Sequence, residues 1–106
     1  MYATGRGVAQ DDVKALRWYL RAAEQGYADA QFNLGARYAT GRGVAQDDVT
    51  AYTCFSLAAS GASGNLLDDC VNSRDRAAER LTPDQLADAR RRVREWQAAH
   101  PREPRW

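Results

Sequence analysis

Apolar residues recur along this chain at helical spacing. Ala15, Trp18, Tyr19, Ala22 and Ala23 fall at i, i+3, i+4, i+7 and i+8, which places them on one face of a helix. Further along, Ala51, Phe55, Ala58 and Ala59 answer to Ala15, Tyr19, Ala22 and Ala23 at an offset of 36 residues. No segment alternates polar and apolar residues as a half-buried strand does, so the pattern predicts an all-α fold. The offset is also a true sequence repeat, because residues 2–13, YATGRGVAQDDV, return unchanged at 38–49. A period in the range of about 20–50 residues marks a solenoid of stacked helical units.

Within each unit the polar positions punctuate the helices. Asp11–Asp12 and Asp47–Asp48 stand where helices begin, where carboxylates cap free N–H groups and suit the positive end of the helix dipole. Gly26 closes one helix, and the next is predicted over about 29–39. Gly35 inside it costs about 1 kcal/mol against alanine, so it needs a packing reason: a neighbouring helix approaches closely there, with Leu34 and Tyr38 supplying buried contact. The Gly-Arg-Gly-Val segments at 5–8 and 41–44 read as turns whose glycines permit positive φ and whose valine tucks back. A longer helix is predicted over 63–80, with Leu66, Leu67, Cys70, Val71 and Ala78 inward. Thr82, Pro83 and Gln85 then supply a cap, a proline in the first turn and the partner of a capping box. Leu86, Ala89, Val93 and Trp96 form the apolar stripe of that last helix, which reads as a C-terminal cap on the array.

At 106 residues the chain has room for one core, and its 44% hydrophobic content is ordinary for a folded domain. The expected domain runs over 1–99: a repeat remnant at 2–26, a full repeat at 27–61, and a degenerate last repeat with its cap at 62–99. Residues 100–106, with two prolines, are expected to form a flexible tail. The net charge is +1, with a mild basic excess after residue 73, too small to argue for nucleic acid. No run approaches the ~18 apolar residues of a membrane span, and no leader pattern precedes the repeats. The compartment stays open between the cytoplasm and a bacterial periplasmic or secreted setting.

The segment Ala30-Gln31-Phe32-Asn33-Leu34-Gly35, followed by Tyr38, Gly41, Gly43-Val44, Gln46-Asp47 and Ala51, resembles the signature of the Sel-one-like repeats, relatives of the tetratricopeptide repeats. Gln10-Asp11, Ala15, Trp18-Tyr19 and Ala22-Ala23-Glu24-Gln25-Gly26 resemble the second half of another such unit. The resemblance covers about residues 2–61 and implies a right-handed α-α superhelix of antiparallel hairpins, about two and a half repeats long. It also implies a scaffold or adaptor that binds another protein or peptide, without a cofactor. Cys54 departs from the tryptophan usual at that position. The chain also opens at what corresponds to the end of a first helix, which implies a fragment of a longer array or a second copy covering the edge. Identical repeats favour exchange between chains, so a homo-oligomer or domain-swapped dimer is a further expectation.

The family includes cysteine-rich members described as β-lactamase-like, so a secreted hydrolase is the runner-up, followed by a self-assembling structural fragment. The residues argue against catalysis. A Ser-x-x-Lys site needs a lysine three after a serine, but Lys14, the sole lysine, follows Asp11 at that spacing. His100, the sole histidine, lies in the tail. Asp68 and Asp69 point about 100° apart on a helix and make no metal site with so few other ligands. Gly5-Arg6-Gly7 lacks the strand and the glycine-lysine ending of a phosphate loop. Cys54 and Cys70 lie on apolar faces either side of the turn at Ala62; a disulfide and two buried thiols both remain open. Family members from oxidising compartments do join adjacent helices by disulfides, at other spacings. For a partner, the first helix of each unit lines the concave side of such arrays, and the residues its core pattern leaves over are Gln31, Asn33 and Arg37, with Arg42 in the following turn. The run Arg90, Arg91, Arg92 and Arg94 is a second candidate, for an acidic partner.

Overall fold

Local turn and cap chemistry sets where each helix starts and stops. The computed structural model describes Trp18 and residues 20–100. In it a helical stretch ends at Glu24 and is followed by α1 (Ala28–Thr40), α2 (Asp48–Gly61), α3 (Gly64–Glu79) and α4 (Pro83–Ala99). The repeat copy over 2–13, the apolar positions Ala15 and Tyr19, and the tail over 101–106 lie outside the described residues.

The turn after α1 follows its glycines. Gly41 has φ 75° and Gly43 φ 80°, a left-handed conformation that a Cβ disfavours. The Gly41 N–H donates to the Arg37 carbonyl at 2.7 Å and closes the helix end. Asp47 then caps α2: its carboxylate accepts from the Thr50 N–H at 3.2 Å and the Thr50 hydroxyl at 2.7 Å. Burial works against the Asp47 charge, but the bonds from Thr50 and the Val49 N–H outweigh it and hold the carboxyl below its ordinary range. At α4 the capping box forms in full. The Thr82 hydroxyl accepts from the Gln85 N–H at 3.1 Å, and the Gln85 side chain accepts from the Thr82 N–H at 2.9 Å. Thr82→Ala removes the first of these bonds and is expected to cost about 1 kcal/mol, lowering the melting temperature by roughly 4–8 °C in a circular-dichroism melt.

Helix α2 is the centre of the packing: α1, α3 and α4 all lie against it, and α1 also meets α3. Ala51 and Ala58 are fully buried on α2, and Phe55 is 3% exposed. Small residues let the helices close in. Gly35 of α1 stands directly opposite Phe55, while Phe55 is tilted against Phe32 with ring centroids 5.6 Å apart. Tyr52 joins the same core as Ala77 of α3 and Ala89 of α4. On α3 the fully sequestered positions are Cys70 and Ala77, with the predicted Leu66, Leu67, Val71 and Ala78 half-buried.

Helix α4 docks on α2. One expectation changes. His100 belongs to the folded part and not to the tail. Its backbone N–H donates to the Trp96 carbonyl at 2.9 Å, its ring stacks on the Trp96 indole at 4.0 Å, and its Nε2 lies 3.2 Å from a Glu24 carboxylate oxygen. The Trp96 ring and carbonyl hold the imidazole in place. No helix among the described residues is long and apolar enough to cross a membrane.

Candidate binding surface

Helix α1 fixes one side on α2 and shows the other to solvent. Asn33 is exposed, and Arg37, one turn on, is half-buried on the same side. Arg42 follows in the turn and is exposed. The Asn33 Nδ2 donates to the Asp29 carbonyl at 2.8 Å, which holds the amide along the helix.

Gln31 does not belong to this surface. It is only 3% exposed, and its Nε2 donates to the Ala23 carbonyl at 3.3 Å. That carbonyl, near the end of the preceding helical stretch, also accepts from the Gly26 N–H at 2.9 Å. Gln31 is therefore a strut between successive helices, and its polarity serves the core.

A groove of about 570 Å³ opens at the start of α1, with Trp18, Gly26, Tyr27, Asp29, Asn33 and Gly61 among its lining. Trp18 is 72% exposed and Tyr27 60% exposed. Trp18 shares the apolar helix face of the sequence pattern, yet that face is open here. Its counterpart one repeat on, Cys54, is 8% exposed and packs beside Gly35 of α1. Tyr27 carried no signal in the periodicity, since it falls in the loop between two helices.

Cys54 and Cys70 are two free, buried thiols. Cys54 lies against Gly35 of α1, and Cys70 is fully buried on α3. Burial pushes the Cys54 thiol up to about 12, with the Asp47 charge adding to it. Burial also raises Cys70, helped by Asp69 and Asp29. Both shifts disfavour the thiolate that a nucleophile or a metal ligand requires.

The α4 arginines are partly neutralised where they stand. Arg91 bonds to Asp88 and, at 2.9 Å, to Glu95; Arg92 reaches Asp88 at 3.0 Å. The Arg91 bond holds the Asp88 carboxyl below its usual range, with Arg92 adding to the effect. Half of this run, Arg91 and Arg92, is paired with acids on its own helix. Among the described residues no group of three or more His, Cys, Asp or Glu side chains is placed to hold a metal ion.

The chain matches the Sel1 repeat family over residues 1–27 and 28–63, more than half of its length. Its fold is similar to the crystal structure of c5321, a protective antigen present in uropathogenic Escherichia coli strains displaying an SLR fold. That similarity has a TM-score of 0.76 and 31% sequence identity, over 91% of this chain and 20% of that one. The chain thus spans about one fifth of the length of that protein. No curated protein matches it.

Proposed function

The chain belongs to the Sel1 repeat family, and on that premise we propose that it acts as an adaptor holding a partner protein across the outward side of α1. The observation that supports this reading most is the division of α1 itself. Gly35 anchors one side on Phe55, while Asn33 and Arg37, four residues apart, stand together on the other, with Arg42 just beyond. A rigid helix that presents polar side chains at fixed spacing is what a repeat scaffold needs to recognise a surface. The thiol shifts argue in the same direction: nucleophilic catalysis wants a lowered cysteine pKa, and both cysteines are raised.

The test is capture of a partner from cells that make the protein, comparing the wild-type chain with an Asn33→Ala, Arg37→Glu double variant of equal helicity. A partner held by the wild type and reduced at least about tenfold with the variant supports the α1 surface, since one reversed charge and one lost amide at an interface together remove roughly 1–3 kcal/mol. Equal recovery by both chains rules that surface out.

A further inference from the structure

The groove at the start of α1 has a chemistry of its own. Its two large side chains, Trp18 and Tyr27, are aromatic and mostly exposed. Its charged residue is Asp29, and no lysine or arginine is among the described residues that line it. One Asn33 amide N–H is engaged with the Asp29 carbonyl, which leaves its Oδ1 and one N–H for a ligand. Gly61, the last residue of α2, and Gly26, just past the preceding helical stretch, also line it, so the negative ends of two helix dipoles lie close by. The positive end of α1 lies nearby, but Asp29 sits in its first turn and offsets it. Aromatic faces beside a carboxylate, with no lysine or arginine among the described lining, are complementary to a planar, donor-rich cation.

We propose that this groove receives an arginine side chain from an extended segment of a partner protein, with the guanidinium against the Trp18 and Tyr27 rings and bonded to Asp29. The proposal rests on the adaptor reading and specifies the chemistry of its partner. Arginine fits better than lysine because its guanidinium is flat, stacks on aromatic rings and donates to a carboxylate through two N–H groups at once.

The test uses the full chain and a short peptide, acetyl-Gly-Arg-Gly-amide, against its citrulline counterpart, which keeps the planar shape and loses the charge. The readout is the Trp18 indole N–H resonance, identified by its disappearance in Trp18→Phe. A saturable shift with the arginine peptide is expected, at least about fivefold weaker with citrulline, and weakened by a similar factor in Asp29→Asn but not in Asp29→Glu. Should Asp29→Asn fail to fold, the arginine and citrulline peptides on the wild-type chain still decide. No saturable shift, or equal shifts from both peptides, overturns the proposal. A shift that follows protein concentration instead of peptide overturns it in favour of a second copy in the groove. Capture of a partner that depends on Asn33 and Arg37, without any response to the arginine peptide, would leave the adaptor reading standing and remove this one alone.

Discussion

Gly35→Leu is expected to abolish the cooperative unfolding transition of this domain. A Cβ built on Gly35 lies 2.8 Å from both Cδ1 and Cε1 of Phe55 and 3.2 Å from the Cys54 Cβ, so even the first added carbon overlaps a ring. The ring has little room to retreat, because Phe55 is 3% exposed and tilted against Phe32. For Gly35→Ala two effects oppose each other. Helix propensity gains about 1 kcal/mol, while overpacking of a dense core costs about 1–3 kcal/mol. Overpacking wins, for a net loss of about 1 kcal/mol. Leucine adds three further carbons to the same collision, and a domain of this size has only about 5–15 kcal/mol of stability in all. Urea titration followed by circular dichroism measures both variants. Phe55→Leu should recover part of the Gly35→Ala loss, giving a coupling of about 0.5–3 kcal/mol in a double-mutant cycle. A Gly35→Ala chain more stable than the wild type would show that Phe55 yields freely, and that Gly35 is not there for close approach.

Gly35 also illustrates what a sequence discloses. Its helical cost demanded a neighbour, and the neighbour is Phe55. The same holds wherever the cause is local. The Gly-Arg-Gly-Val turn needs left-handed backbone at Gly41 and Gly43, Asp47 caps α2, and Thr82 with Gln85 builds its box, each within a few residues. The misreadings are all of partners distant in the chain. Gln31 looked like surface because its acceptor, the Ala23 carbonyl, is in another helix. Trp18 looked buried because periodicity identifies a helix face without saying what covers it. His100 looked loose because its prolines are adjacent and Glu24 is 76 residues away. The helix that meets α4 could not be read at all, since the spacing of Leu86, Ala89 and Val93 defines a stripe and not its partner, α2. For the candidate site the result is mixed: Asn33, Arg37 and Arg42 could be read as surface, whereas the groove exists only once α1, α2 and the preceding helical stretch are assembled.

Alkali should expose the cost of burying Cys54. Burial moves its thiol from an ordinary 9.0 to about 12, because the packed interior between α1 and α2 solvates a thiolate poorly and the Asp47 charge repels it. In the unfolded chain the thiol ionises near its ordinary value, while the folded chain keeps the proton. Between about pH 9 and 12 the folded state therefore binds more protons than the unfolded one, so stability falls as pH rises. At about 1.4 kcal/mol per pH unit, roughly 3 kcal/mol is lost by pH 11, and the contribution is intact below pH 9. Tyr38 adds to the slope in the same sense. Its hydroxyl is raised by burial first and then by the Cys54 and Asp47 charges, so ionising either group makes the other harder to ionise. Cys54→Ala separates the two: it removes one titrating group and relieves the other. Urea midpoints measured at pH 8 and pH 11 should differ markedly for the wild type and much less for Cys54→Ala, even if the variant starts lower through lost packing. Equal falls in both chains would mean that other ionisations drive alkaline unfolding and that the interior at Cys54 is wetter than its packing against Gly35 implies.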